Sequence, residues 1–115
     1  MPRPVTAGLL GATSIALGAF GAHGLQARLA LIPEALGWWE TATFYLLTHA
    51  VAVGAVPARS PWPARLWALG AAIFAGTLYA MALGAPRWFG AITPIGGSLL
   101  IAGWAALAWT ARRES

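Results

Sequence analysis

Leu66 to Pro86 reads LWALGAAIFAGTLYAMALGAP, without one charged side chain. About 20 apolar residues in a helix cross a hydrocarbon layer roughly 30 Å thick, so this stretch is long enough to span a membrane. Three more uncharged stretches surround it: Pro4 to Ala27, Thr41 to Ala58 and Trp88 to Ala111. The first and last are comfortably long, and Thr41 to Ala58 only just suffices. The short segments between them hold nearly all the arginines, several prolines and several tryptophans.

Composition points the same way. The chain of 115 residues is 59% hydrophobic and 9% charged, with a mean hydropathy of +0.70. That is too little polar surface to cover a water-soluble globule, so lipid must supply the missing solvent. A membrane β-barrel alternates apolar and polar residues, whereas Ala50 to Val56 and Leu99 to Leu107 do not. The fold predicted is all-α: a polytopic membrane protein whose single domain, 1–115, is a four-transmembrane-helix bundle. The helices are expected over about 5–27, 37–56, 64–83 and 94–110.

The connections carry their own chemistry. Pro57-Ala58-Arg59-Ser60-Pro61-Trp62-Pro63 continues neither neighbouring helix, because its prolines lack donors and push preceding residues toward extended geometry. Thr93 followed by Pro94 predicts an N-cap with proline at the first helical position. Arg28 to Leu36 is expected to form a short interfacial helix broken at Pro33. Arg3 before an apolar stretch imitates a signal peptide, but the stretch outruns the usual core of such peptides, so an uncleaved first helix is expected.

The net charge of +4 comes from seven arginines against Glu34, Glu40 and Glu114. The arginines are scattered near helix ends and form no basic face of the kind nucleic acid requires, so no nucleic-acid partner is expected. With both termini cytoplasmic, Arg3, Arg59, Arg65, Arg112 and Arg113 lie inside and Arg28 and Arg87 outside, which satisfies the positive-inside rule. The lipid bilayer is the expected partner. Trp38, Trp39 and Trp88 would then anchor the outer interface, and Trp62, Trp67 and Trp109 the inner one. Trp104 falls near mid-membrane, where its indole N–H must find a partner or face a polar groove.

Small residues mark expected packing seams. Ala72, Gly76, Ala80 and Gly84 repeat at four-residue spacing in the third helix, and Ser14, Gly18 and Ala22 in the first, with Gly21 beside them. Small side chains let backbones approach in lipid, so a tight seam between the first and third helices is predicted. Gly96 and Gly97 open the fourth helix and are read as packing residues, with an exposed-amide anion site as the alternative.

His23 and His49 are the only histidines, and ionisable side chains at membrane depth raise a functional question by default. Trp38, Thr41, Tyr45 and His49 share one helical face, which lets the Tyr45 hydroxyl reach toward His49 or a common water. His23, Glu40, Tyr45, His49, Tyr79 and Thr93 converge by helical rise on the outer half of the bundle, a candidate polar pocket. The simpler reading makes them interhelical hydrogen bonds. The histidines differ by about 10 Å in depth, too far to share a metal, and no metal or other cofactor is expected. A serine with its base, a carboxylate pair and a phosphate-cradling Gly loop are all missing, so an enzyme is not expected.

Four segments taken together carry a resemblance: Gly18-Ala19-Phe20-Gly21-Ala22-His23-Gly24; Tyr45 with His49; Phe74-Ala75-Gly76-Thr77-Leu78-Tyr79; and Thr93-Pro94-Ile95-Gly96-Gly97 followed by Gly103-Trp104. In this order and spacing the chain resembles domain of unknown function family 423, the small membrane family that includes bacterial YgdD and eukaryotic transmembrane protein 256. The resemblance implies a four-helix integral membrane protein, located in bacteria in the inner membrane, and no established reaction, substrate or cofactor. The function expected is therefore a structural or accessory membrane bundle, able to associate with itself or with a larger complex. The alternative is a small transporter or channel subunit for a proton, ion or small solute that uses the outer polar pocket.

Overall fold

The computed structural model describes residues 2–57 and 59–114. Its elements are helices α1 (Arg3–Ala22), α2 (Gln26–Leu29), α3 (Ala35–Ala55), α4 (Trp62–Ala82) and α5 (Thr93–Glu114), with a 3-10 turn over Arg87–Ala91 before α5. No strand occurs among the described residues. The fold is all-helical, as the composition required, and measures 51 × 26 × 20 Å.

The four long helices run up and down. Arg3 at the start of α1 donates to the Val56 carbonyl at the end of α3 (2.5 Å), so these two ends lie together. At the opposite end Arg28 donates to the Leu83 carbonyl, where α4 stops, and Arg87 meets Glu34 at 3.2 Å. The start of α1 and the end of α5 therefore lie at one end of the bundle, with Arg3, Arg59, Arg65, Arg112 and Arg113.

α1 packs along α3, α3 along α4, and α4 along α5, while α1 barely touches α4. This corrects the predicted seam between the first and third long helices. Four-residue spacing identifies a small-residue stripe but not its partner. On α4 the stripe turns outward, with Ala72 and Gly76 exposed. The backbones meet elsewhere: a Cβ on Gly96 of α5 would lie 2.5 Å from the Phe74 amide nitrogen and 2.8 Å from the Gly70 carbonyl oxygen of α4. Most buried side chains belong to the α3–α4 hairpin, and α1 buries only Ser14 and Gly21 completely.

Among the described residues, three segments are long and apolar enough to cross a membrane: Arg3–Ala22, Trp62–Ala82 and Arg87–Arg113. α3 is not one of them, although its 21 residues span about 31 Å. Glu40, His49 and three threonines lower its apolar content.

Two ends depart from expectation. The first helix stops at Ala22 and not near Ala27, because the turn takes its last carbonyls: His23 N–H bonds Ala19, Leu25 N–H bonds Phe20, and the Gln26 amide bonds Ala22. The interfacial helix accordingly begins and ends earlier, as α2. Thr93 is not an N-cap: it is already helical, and its hydroxyl bonds Thr77 and the Phe89 carbonyl. α4 ends in a Schellman motif, with Gly84 at φ +108°, its N–H on Met81 and the Ala85 N–H on Ala80.

Candidate functional site

Ser14, fully buried, bonds the Gly11 carbonyl of its own helix at 2.8 Å, and three further sets of polar side chains within the bundle make interhelical pairings. The deepest centres on His49 of α3, which is 4% exposed. Its Nδ1 lies 2.8 Å from the Tyr45 carbonyl oxygen, an acceptor, so Nδ1 carries the proton. Its Nε2 then accepts from the Trp104 indole N–H of α5, at 3.0 Å. Both ring nitrogens are satisfied in one neutral tautomer. The Tyr45 ring stacks nearly parallel to the imidazole (10°, 6.3 Å) and leans on Phe74, while its hydroxyl takes no part in the pair. The indole of Trp67, on α4, closes the cluster 4.4 Å from that of Trp104.

The second pairing joins α1, α3 and α4. Thr43 donates its single hydroxyl proton to the Trp39 carbonyl (3.0 Å), so Tyr79 must donate to Thr43 Oγ1 at 2.7 Å. Trp39 stands edge-on to Tyr79 at 4.5 Å and sends its indole N–H across to the Leu17 carbonyl, 2.7 Å away. Gly21 leaves room for that indole, since a Cβ there would collide with it. Gly18 lies against the Thr43 methyl. In the third pairing Thr77 of α4 and Thr93 of α5 share a hydrogen bond of 2.6 Å.

The six polar residues read from the sequence are thus distributed. His49 and Tyr45 are neighbours, and Tyr79 and Thr93 sit in the other two pairings. His23 is exposed at the end of α1. Glu40 is exposed and lines two adjoining grooves of about 310 and 430 Å³ against Gly21 and Ala22. No described groove is lined by two of the six. Of the glycines, Gly18, Gly21 and Gly96 lie at close contacts, Gly97 touches Phe74 at ordinary distance, and Gly76 faces open space within one chain.

Sequence reasoning missed Thr43, Thr77, Trp39 and Trp67. The threonines were open to the same argument from polar groups at depth that singled out the histidines. Trp39 and Trp67 are not interfacial anchors: they are 2% and 1% exposed. Trp62, Trp88 and Trp109 remain more than half exposed, as anchors are. The Trp67 indole N–H is buried without a hydrogen-bond partner, pressed against Gly103.

With that geometry in place, the likenesses to known proteins are informative. The family described as "Protein of unknown function (DUF423)" matches residues 17–97. The UPF0382 membrane protein of Schizosaccharomyces pombe is 39% identical over 111 residues, covering 88% of this chain and 93% of the relative. That of Haemophilus influenzae is 43% identical over 108 residues, covering 88% and 86%. The UPF0382 inner membrane protein YgdD of Escherichia coli is 32% identical over 111 residues, covering 90% and 83%. No solved structure matches the chain.

Proposed function

The chain belongs to the DUF423 family of membrane proteins of unknown function, and from that premise we propose that it is a structural or accessory bundle of four membrane-crossing helices. The observation that carries this reading is that three pairs of interior polar side chains satisfy each other across helices. His49 with Trp104, Tyr79 with Thr43, and Thr77 with Thr93 each join two helices. Such pairs hold helices together in lipid, where apolar burial gives helices no preference for one another over the lipid tails. Chemistry on a substrate needs groups held ready for it, and here the imidazole offers no open nitrogen. Enzymatic activity has no support from this arrangement.

α3 is the fourth crossing. It is long enough, it lies between α1 and α4, and its His49 and Thr43 bond Trp104 and Tyr79 of other helices, while exposed Thr48 returns its hydroxyl to the Phe44 carbonyl and Glu40 and Thr41 sit toward the outer end. Three apolar helices and α3 make an even number of passes, with both termini on the face bearing five arginines, the cytoplasmic one. The name of the Escherichia coli relative supports a bacterial inner membrane. The broad exposed faces of α1 and α5 suit a second copy or a membrane-complex partner.

Reporter fusions at each end and in the α1–α3, α3–α4 and α4–α5 connections test the topology. The expected result is cytoplasmic signal from both ends and from the α3–α4 connection, with external signal from the other two. Ends on opposite faces would refute it. Crosslinking in native membranes tests the accessory role, which a strictly monomeric, partnerless chain would overturn.

A second reading, a transport subunit, draws on Glu40, which lines both outer grooves. Passage through the bundle itself would have to open the His49–Trp104 pair. Proteoliposome flux abolished by both Glu40→Gln and His49→Ala would favour transport over the accessory role.

A further inference from the structure

A groove of about 670 Å³ lies at the arginine-rich end, between α1 and α4, with Val53 of α3 at its floor. It exists because α1 packs on α3 and leaves α4 almost untouched. Three arginines line it, one from each side of the opening: Arg3 from α1, Arg59 from the α3–α4 connection and Arg65 from the first turns of α4. Among the described residues, no acidic side chain lines it. Farther in, Ala68 and Ala72 form the wall with Leu69 at its side, and the same face of α4 continues as exposed Gly76.

We propose that this groove binds an anionic phospholipid, with its headgroup phosphate among Arg3, Arg59 and Arg65 and an acyl chain along Ala68, Ala72 and Gly76. The charge decides the headgroup. A guanidinium has five N–H donors, and Arg3 commits one nitrogen to the Val56 carbonyl, leaving donors for a phosphate. Arg65 rests 5.5 Å from the centre of the Trp62 ring, a cation–π contact that holds the guanidinium in place while its in-plane donors stay available. A phosphate among three arginines gains charge-assisted hydrogen bonds that a zwitterionic headgroup, carrying its own cation, partly cancels.

The groove's shape decides the rest of the ligand. Arg65 to Ala72 is seven residues, about 10 Å along the helix, so the small-residue wall runs from headgroup level into the hydrocarbon. Alanine and glycine leave a shallow track on α4, where larger side chains would close it. A soluble phosphate compound would use only the mouth of this groove. The small-residue stripe that fails to meet α1 thereby acquires an occupant, and the assignment requires only that the chain lie in a bilayer.

The test is native mass spectrometry of the full chain released from nanodiscs of equal phosphatidylglycerol and phosphatidylcholine. The expected result is one retained phosphatidylglycerol per chain in preference to phosphatidylcholine. Arg65→Gln and Arg3→Gln should each reduce that preference roughly fivefold, as expected for one arginine near an anionic surface. Arg28→Gln with Arg87→Gln, which removes two charges at the other end, should leave it unchanged. Ala72→Leu, which narrows the track without touching charge, should lower retention, and circular dichroism verifies that the variant folds. Equal retention of both lipids, or equal loss from the Arg28 and Arg87 variants, would overturn the proposal. So would full competition by free glycerol phosphate, which would show that the acyl chain contributes nothing.

Discussion

The indole N–H of Trp104 points at the one nitrogen of His49 that can accept it, so a pair fifty-five residues apart in sequence joins α5 to α3 across the flank of α4. Hydrogen bonds of this kind between membrane helices contribute about 0.6 kcal/mol on average and up to about 1.7. A double-mutant cycle of His49→Ala and Trp104→Phe, read by reversible unfolding in mixed micelles, should give a coupling in that range. Strict additivity would mean that the bond holds nothing together.

The Thr43–Tyr79 pair should respond unequally to its two deletions. Tyr79→Phe removes a donor and leaves Thr43 still bonded to the Trp39 carbonyl, so it should cost about 1 kcal/mol. Thr43→Val keeps the shape but strands a buried tyrosine hydroxyl, costing about 1 to 3 kcal/mol. The same unfolding measurement checks the order, and a larger loss from Tyr79→Phe would contradict the donor assignment.

Glycine substitutions should separate packed positions from open ones. Gly96→Ala drives a methyl into the backbone of α4 and should destabilise by about 1 to 3 kcal/mol. Gly76→Ala meets open space and should change stability by less than about 0.5 kcal/mol in a monomer, or gain from better helix propensity. A substantial loss at Gly76 in oligomeric material would reveal a second copy against that face.

The Glu34–Arg87 ion pair is exposed on both sides, 69% for the arginine side chain and 48% for the glutamate. Its removal by Glu34→Gln should cost no more than about 0.5 kcal/mol and less at high salt. Thermal unfolding at two ionic strengths checks both statements.

The parts of the architecture that were legible in the sequence are those set by local chemistry. Uncharged stretches located most ends of the long helices to within a few residues, and the prolines at 57 and 61 placed the α3–α4 connection, because a missing donor acts at its own position. Trp62 and Pro63, expected outside the helices, instead form the first turn of α4, where a proline's missing N–H costs nothing. Trp104 was recognisable as a side chain in need of a partner, but not which partner, since nothing local links it to His49. The same limit misassigned the small-residue stripe of α4. Spacing gives the face of a helix, and only packing says what that face meets. Trp39 and Trp67 looked like anchors because their positions near helix ends are where anchors sit, yet Gly21 and Gly103 leave the space that lets them turn inward.

The central place of α3 bears on how the chain is made. On the four-span reading, α3 leaves the ribosome before α4 and α5, so His49 and Thr43 reach the translocon before either Tyr79 or Trp104 has emerged. A segment carrying such groups partitions poorly into hydrocarbon alone. Its entry must await α4, and the two integrate as a hairpin, so in a chain truncated in the α3–α4 connection α1 alone should anchor the protein and the truncated end should be open to protease from the outer face, as the same site in the full chain is not.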